Sequence, residues 1–398
     1  MTITRPRRAC ALLLALLALP TGAIGAEPFS QCLAQLRTRA AGEGVAPAAF
    51  DRYTRNLAPD ASVLELLDAQ PEFTTPIWDY LAALVDARRI AQGQEMLARH
   101  AAVLAQVEAA YGVDRHTVVA VWGVESDYGQ ITGTRPLLTS LVTLSCAGRR
   151  QAFFRGELMA LLKLFEAGDL QPEGLTGSWA GAFGQTQFMP STYATVGVDF
   201  DGDGRRDLVS SVPDALASTA NYLRRAGWKH GEDWGMEVRI PATLDAALAG
   251  RTRPRPMSDW RARGLTRVDG APLPAGDASV ALLLPAGKAG PAWLVRRNYR
   301  AIYSYNAAES YALAIALLSD RLRGLPAQAV AWPTDDPGLD RDQRQRLQQL
   351  LLARGHDIGS ADGMIGAKTR EAIKTEQQRL GMKPDGRAGQ KLLAALKR

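Results

Sequence analysis

The segment Val121-Trp122-Gly123-Val124-Glu125-Ser126-Asp127-Tyr128-Gly129 ends an apolar stretch on a carboxylate. Burial penalises the charged form of a carboxylic acid and raises its pKa. Such an acid can stay protonated near neutral pH and give its proton to a leaving oxygen. Glu125, flanked by Val121, Trp122 and Val124, has the apolar setting this needs. The plain alternative is a helix-terminal Glu that only caps or meets solvent. Asp127 would point to another face if the helix continued, and reads as a turn residue. No second acid stands in a comparable apolar context, whereas hydrolysis of a glycosidic bond normally uses two flanking carboxylates. A single acid that later serves as base fits a different outcome. The sugar's own hydroxyl closes a ring on the anomeric carbon, and no water is consumed.

A second group of acids has metal-binding spacing. Asp199-Phe200-Asp201-Gly202-Asp203-Gly204-Arg205-Arg206-Asp207 follows the start of an EF-hand loop, with acids at positions 1, 3, 5 and 9 and Gly at 6. Arg205 would offer its backbone carbonyl. Position 12 is Ser210, so the usual bidentate Glu is missing. The loop is expected to hold a structural Ca²⁺ at weak, extracellular-class affinity; an Asp/Gly turn without an ion is the alternative.

The elements that must position these groups are mostly helices. Residues 28–125 are helical by period. Pro76 can open a helix carrying Ile77, Tyr80, Leu81, Leu84 and Val85, and Met96 to Ala110 forms one run stopped by Gly112. Asp114 is an N-cap candidate for a buried helix from Arg115 to Ser126. Phe153 to Phe165 gives another helix, with Gly168 as its stop. Glycines crowd 177–212, which reads as loop chemistry laid across helices. Pro213 to Ala226 and Ser310 to Leu322 are helical. Residues 235–297 read as a small, partly β insert. Pro326, Pro333 and Pro337 mark 325–338 as a linker. Residues 339–398 form a compact three-helix unit, with helices near 340–354, 367–380 and 388–397. The fold class is mainly α, with a β-containing insert and a second small domain.

Composition bounds the rest. The 398 residues are 46% hydrophobic and 22% charged, which excludes wholesale disorder. With 3 Cys and 4 His, a disulfide-dense scaffold is excluded and a Cys/His zinc site is disfavoured. Residues 1–26 read as an export signal: Arg5, Arg7 and Arg8, then an apolar run from Ala11 to Leu19, then small residues up to Ala26. No later segment is apolar for long enough to span a bilayer. The 47 basic and 41 acidic side chains give +6; removal of those three arginines leaves +3, which suits an anionic wall and does not call for nucleic acid. Cleavage also removes Cys10. The remaining pair, Cys32 and Cys146, suggests one disulfide in an oxidising compartment, with two separate buried thiols as the alternative.

Glu125-Ser126-Asp127-Tyr128-Gly129, taken with the block from Gly177 to Ser191 (GSWAGAFGQTQFMPS), resembles the lytic murein transglycosylase B family. Asn221-Tyr222-Leu223, Asn298-Tyr299 and Tyr305-Asn306 extend the likeness, which covers roughly 28–324. The resemblance implies a lysozyme-like helical catalytic domain, residues 27–324. It would cleave the MurNAc–GlcNAc bond of peptidoglycan and leave a 1,6-anhydromuramoyl end. Carried over, Glu125 is the single acid and base, and no cofactor serves catalysis. Ser178 and Gln187 line the cleft, and Tyr222, Tyr305, Asn306 and Tyr311 match sugar-subsite residues. Arg149 and Arg150 match a basic pair beside the cleft. The family's longer metal loop puts Asp214 in the place of the closing ligand. Trp179 stands where the family has Tyr, and Gln185-Thr186 also depart from its pattern; these departures are expected to touch cleft lining. Residues 340–396 resemble the type 1 peptidoglycan-binding domain, with Glu376-Gln377 where Phe-Gln is usual. The expected protein is a periplasmic monomer whose partner is peptidoglycan, beside cell-wall synthases or amidases. A hydrolytic muramidase and a catalytically silent wall-binding scaffold are the competing readings.

Overall fold

The computed structural model describes residues 29–67 and 71–398. The expected export signal lies outside the described residues. The described residues fold mainly into helices, with a two-stranded pair (Arg135–Pro136 and Thr176–Gly177) and a five-stranded sheet inserted between the later helices.

Local chemistry accounts for the helix that carries Glu125. Asp114 caps it, accepting from Thr117 N at 3.0 Å, and the helix runs Arg115–Ser126. Val118, Val119, Ala120 and Val121 are fully buried, so no face of this helix but its end meets solvent. It packs along Glu309–Leu322, whose apolar residues are buried almost throughout. The helix Ile77–Leu84 begins after Pro76 as expected. The expected single run from Met96 to Ala110 is instead two helices, Ala87–Arg99 and Ala101–Tyr111. The break is His100, which leaves helical geometry (φ −106°, ψ 21°) and turns its ring edge-on to Trp122 at 5.7 Å. Apolar spacing is blind to such a break, because the stripe continues on both sides of it.

The hydrophobic interior has two large parts. One is built on the helices Arg115–Ser126, Val212–Arg225 and Glu309–Leu322. The other is built on Leu137–Cys146 and Gln151–Glu166, covered by the N-terminal helices. Cys32 in the helix Phe29–Gly42 and Cys146 at the end of Leu137–Cys146 are joined by a disulfide across the second part. Tyr222 and Tyr305 pack against both parts, so the seam between them runs past these rings.

The insert is a five-stranded antiparallel sheet, in the spatial order Arg255–Pro256, Ser279–Leu283, Ala292–Val295, Gly235–Arg239, Thr266–Arg267. Val280 and Leu282 face a core of its own with Trp260 and Met257. Ala281 and Leu283, on the other face, join the first large core, which is the alternation a two-faced strand requires. Residues 325–338 form no helix and are pinned rather than loose. Ala329 N and Val330 N donate to the Glu237 carboxylate (2.7 and 2.9 Å), and Trp332 lies 5.9 Å from Trp293.

The C-terminal helices are Arg341–Ala353, Ala367–Arg379 and Gln390–Leu396, around a small core of Leu347, Leu351, Ile373, Leu392 and Leu393. Two turns are built alike. Gln348 brackets Asp362-Gly363 (Gly363 N to Oε1, 2.6 Å; Nε2 to Asp362 Oδ1, 3.1 Å). Gln377 brackets Asp385-Gly386 (Gly386 N to Oε1, 2.9 Å; Nε2 to Asp385 Oδ1, 2.8 Å). Glu376 is buried and paired with His356 (2.9 Å) and Arg379 (2.7 Å), so an ion cluster fills the place where the resembled domain has an aromatic ring. Among the described residues no helix is long and apolar enough to cross a membrane.

Candidate active site

Glu125 sits in the last turn of its helix, at the seam between the two cores. The residue keeps partial solvent access, but its carboxyl end is crowded by Tyr311, Tyr80 and Tyr305. Burial pushes its pKa up to about 8. The Tyr311 hydroxyl donates to Glu125 Oε1 and opposes that rise, while the Glu72 carboxylate adds to it. Tyr311 itself is held far above the ordinary tyrosine range, first by burial and then by Glu125, so it remains a donor.

The turn after Glu125 is tightly specified. Asp127 and Tyr128 are both left-handed (φ 52° and 60°). Ser126 Oγ donates to Gln185 O at 2.7 Å and accepts from Gly129 N at 2.9 Å. Trp122 Nε1 donates to Gln185 Oε1 at 3.0 Å. A Cβ on Gly123 would lie 2.6 Å from the Tyr128 ring, so Gly is required there. Gln185 and Thr186 are buried, at 5% and 1% exposure. Their polar groups are drawn into the packing rather than presented as open cleft surface: Gln185 straps the helix bearing Glu125 to the glycine-rich block.

Beside Glu125 stands an aromatic wall. Tyr222 and Tyr305 are 4.8 Å apart, Phe188 lies 5.8 and 5.6 Å from them, and Tyr305 stacks on Tyr311 at 6.3 Å. The hydroxyls are fixed by backbone oxygens: Tyr222 donates to Ser304 O (2.6 Å) and Tyr305 to Thr186 O (2.7 Å). Such ring faces can pack on the apolar faces of sugars. Gln187, itself left-handed (φ 49°), spends its amide on Thr132 O (2.9 Å) and Gly184 O (2.8 Å), which leaves its Oε1 as an acceptor. Ser178 Oγ accepts from Ala182 N at 3.1 Å and closes the turn through Gly181. Asn306 is exposed and reaches Glu72 Oε1 at 3.5 Å. Arg149 donates to Leu67 O, and Arg150 lies 4.5 Å over the Phe153 ring.

Two residues of this group have no signal in the sequence. Glu72 is half-buried in a one-turn helix, Pro71–Thr74, and its apolar neighbour Phe73 is exposed, so no buried apolar run marks it. It reaches the site because its carbonyl accepts from Ser310 Oγ at 2.6 Å. Tyr80 reads as one more apolar position of its helix, yet both Glu72 and Glu125 act on its hydroxyl.

The acidic loop is well formed. Carboxylate oxygens of Asp199, Asp201 and Asp203 converge to within 4.8 Å of one another. Gly202 N and Gly204 N donate to Asp199 (2.8 and 2.9 Å), and both glycines are left-handed, as a sharp ligand-bearing turn requires. The three acids fit a hard cation. Asp214 does not fit the role of closing ligand. It is fully buried, and its oxygens accept from Phe200 N (2.8 Å), Asp201 N (3.4 Å) and Asp207 N (2.8 Å). Its lone pairs brace the loop backbone, and it lies at the start of the helix Val212–Arg225, where a carboxylate is favoured in any case.

A buried acid at the end of a core helix, facing an aromatic wall between two lobes, defines a lysozyme-like saccharide-cleaving class. The comparisons narrow this. Residues 28–320 match the family model "Transglycosylase SLT domain", and residues 340–396 match "Putative peptidoglycan binding domain". The chain belongs to the transglycosylase SLT family. It is 35% identical over 206 residues to the membrane-bound lytic murein transglycosylase B of Escherichia coli, covering 52% of this chain and 56% of that protein. The chain thus spans little more than half the length of that curated relative. The crystal structure of SltB3 from Pseudomonas aeruginosa in complex with NAG-anhNAM-pentapeptide matches with a TM-score of 0.74 and 47% identity, covering 93% of this chain and 99% of that one. The Escherichia coli lytic transglycosylase Slt35 in complex with calcium matches at a TM-score of 0.64 and 29% identity, covering 73% and 92%.

Proposed function

We propose that the protein is an exported peptidoglycan lytic transglycosylase that cleaves the β-1,4 MurNAc–GlcNAc bond without water, using Glu125 as acid and then base. What carries the reading is the setting of Glu125: its carboxyl is buried among Tyr311, Tyr80 and Tyr305, which pushes its pKa up to about 8, and the Tyr311 hydroxyl already engages one carboxyl oxygen. With Oε1 accepting from Tyr311, the proton would sit on Oε2 and pass from there to the glycosidic oxygen. The C1–O bond breaks, the GlcNAc side leaves as an alcohol, and positive charge develops at C1 of MurNAc. The resulting Glu125 carboxylate, held by the Tyr311 hydroxyl, takes the proton of the MurNAc C6 hydroxyl. That oxygen bonds to C1, closing the 1,6-anhydro ring, and Glu125 is again protonated. The cycle balances without water or cofactor.

Tyr222, Tyr305 and Tyr311 would carry sugar rings, while Ser178, Gln187 and Asn306 would orient their amides and hydroxyls. Arg149 and Arg150 suit the carboxylates of stem peptides. Asp199, Asp201 and Asp203 would hold Ca²⁺ in a structural role. Residues 339–398 would raise the local concentration of wall substrate at the cleft. The place of action would be the periplasm, as a monomer.

Glu72 favours a second reading, a hydrolytic muramidase, because it supplies another carboxylate near Glu125. Digestion of purified sacculi separates these. Wild-type release of anhydro-ended muropeptides, abolished by Glu125→Gln and retained in Glu72→Gln, supports the transglycosylase. Reducing ends that vanish with Glu72→Gln support the hydrolase.

A further inference from the structure

The helix bearing Glu125 ends on a carboxylate that the rest of the catalytic domain pairs only loosely. Asp127 is 4% exposed and left-handed, an uncommon state for a residue with a Cβ, and Tyr128 repeats it. Two successive residues in this region persist only when their surroundings over-determine them. Tyr128 is held by its hydroxyl on Arg89 O (2.7 Å) and by its ring on Trp122. Asp127 is held by three guanidinium groups. Arg88 and Arg89, from the helix Ala87–Arg99, both stand at 3.3 Å. The third, at 2.6 Å, is Arg341, the first residue of the first helix of the C-terminal unit. The closest partner of the turn next to the acid therefore comes from the wall-binding module.

This contact is one of a set. Arg387 of the module grips Asp79 with two bonds, 2.6 and 2.7 Å, and Arg344 reaches Ala83 O at 3.4 Å, an oxygen Arg89 also uses at 3.0 Å. A Cβ on Gly338 would lie 2.7 Å from Asp79 Cα, so the chain enters the module in direct backbone contact with the helix Ile77–Leu84. The module is docked behind the catalytic helix, and its charges complete a buried ion cluster there. A buried carboxylate that loses a partner becomes costly, and here the cost falls on the turn that sets where Glu125 stands.

We propose that Arg341 is a positioning residue for Glu125, acting through Asp127, so that the docked module contributes to turnover as well as to wall binding. The inference rests on Glu125 being the acid of the reaction proposed above. A carboxyl moved by a fraction of an ångström from its glycosidic oxygen loses rate, while the sugar subsites, which lie on other elements, keep their affinity.

The test uses the full chain and a soluble, uncrosslinked peptidoglycan oligomer, on which avidity for sacculi plays no part. Arg341→Ala is expected to lower kcat about tenfold with KM within about twofold, and with sacculus pelleting unchanged. Arg341→Lys restores most of kcat, because the charge returns. Asp127→Asn loses at least as much as Arg341→Ala, because it also releases Arg88 and Arg89, and the double variant falls no lower than Asp127→Asn alone, as expected of two residues in one path. Arg341→Gln serves if Arg341→Ala does not fold. Wild-type kcat in Arg341→Ala or Arg341→Gln, a loss confined to KM, or losses that multiply in the double variant overturn the proposal. Activity that disappears in Glu125→Gln but is insensitive at Arg341 sinks the coupling alone. A wild-type chain without activity, or an active Glu125→Gln, sinks the function and the coupling together.

Discussion

Replacing Glu125 by Gln is expected to stabilise the protein while silencing it, by an amount that grows with pH. In the unfolded chain this carboxyl releases its proton near 4.5, and in the folded protein near 8. Between those values the folded state keeps a proton that the unfolded state has lost. Each pH unit in that window therefore costs the wild type about 1.4 kcal/mol. Gln has no such proton, and it can still accept from Tyr311. The variant's advantage is close to zero near pH 4.5, reaches about 3 kcal/mol at neutral pH and levels near about 5 kcal/mol once Glu125 is ionised in both states. Urea unfolding of both chains at acidic, neutral and mildly alkaline pH measures it, read as the displacement of the midpoint at constant slope. A difference that is flat with pH, or a variant less stable at neutral pH, would refute the idea that burial holds this acid neutral. Stability gained by removing a functional group is the usual sign of a site kept strained for activity.

Two further outcomes follow from the same geometry. Tyr311→Phe removes the hydrogen bond that lowers the Glu125 pKa, so the alkaline limb of the pH–rate profile moves to higher pH while kcat falls about tenfold; a profile that stays in place counts against Tyr311 as the donor. Millimolar Ca²⁺ raises the melting temperature of the wild type and not of Asp201→Asn/Asp203→Asn, whereas Asp214→Asn lowers it with or without the ion; calorimetry without heat of binding removes the ion from the account.

Much of the site was legible because its signals are local. Asp114, the apolar run and Glu125 lie within one helix and its cap, so sequence neighbours alone write the proposed proton donor and its apolar setting. The acidic loop is legible for the same reason, since alternate acids and Gly202 meet within one turn. What sequence spacing misses is made by distant packing. Glu72 reaches the site only through Ser310. Gln185 looks like cleft lining in a motif but is drawn inward by Trp122 and Ser126. Asp214 matches a ligand position, yet burial and three backbone donors give it another task. Arg341 carries no mark at all, because its partner lies on the other side of the linker.

The most direct measurement is digestion of purified sacculi in ¹⁸O-labelled water, followed by mass spectrometry of the released muropeptides. The account predicts 1,6-anhydromuramoyl ends without label from the wild type, and none from Glu125→Gln. Reducing ends carrying ¹⁸O, or unchanged release by Glu125→Gln, would contradict it.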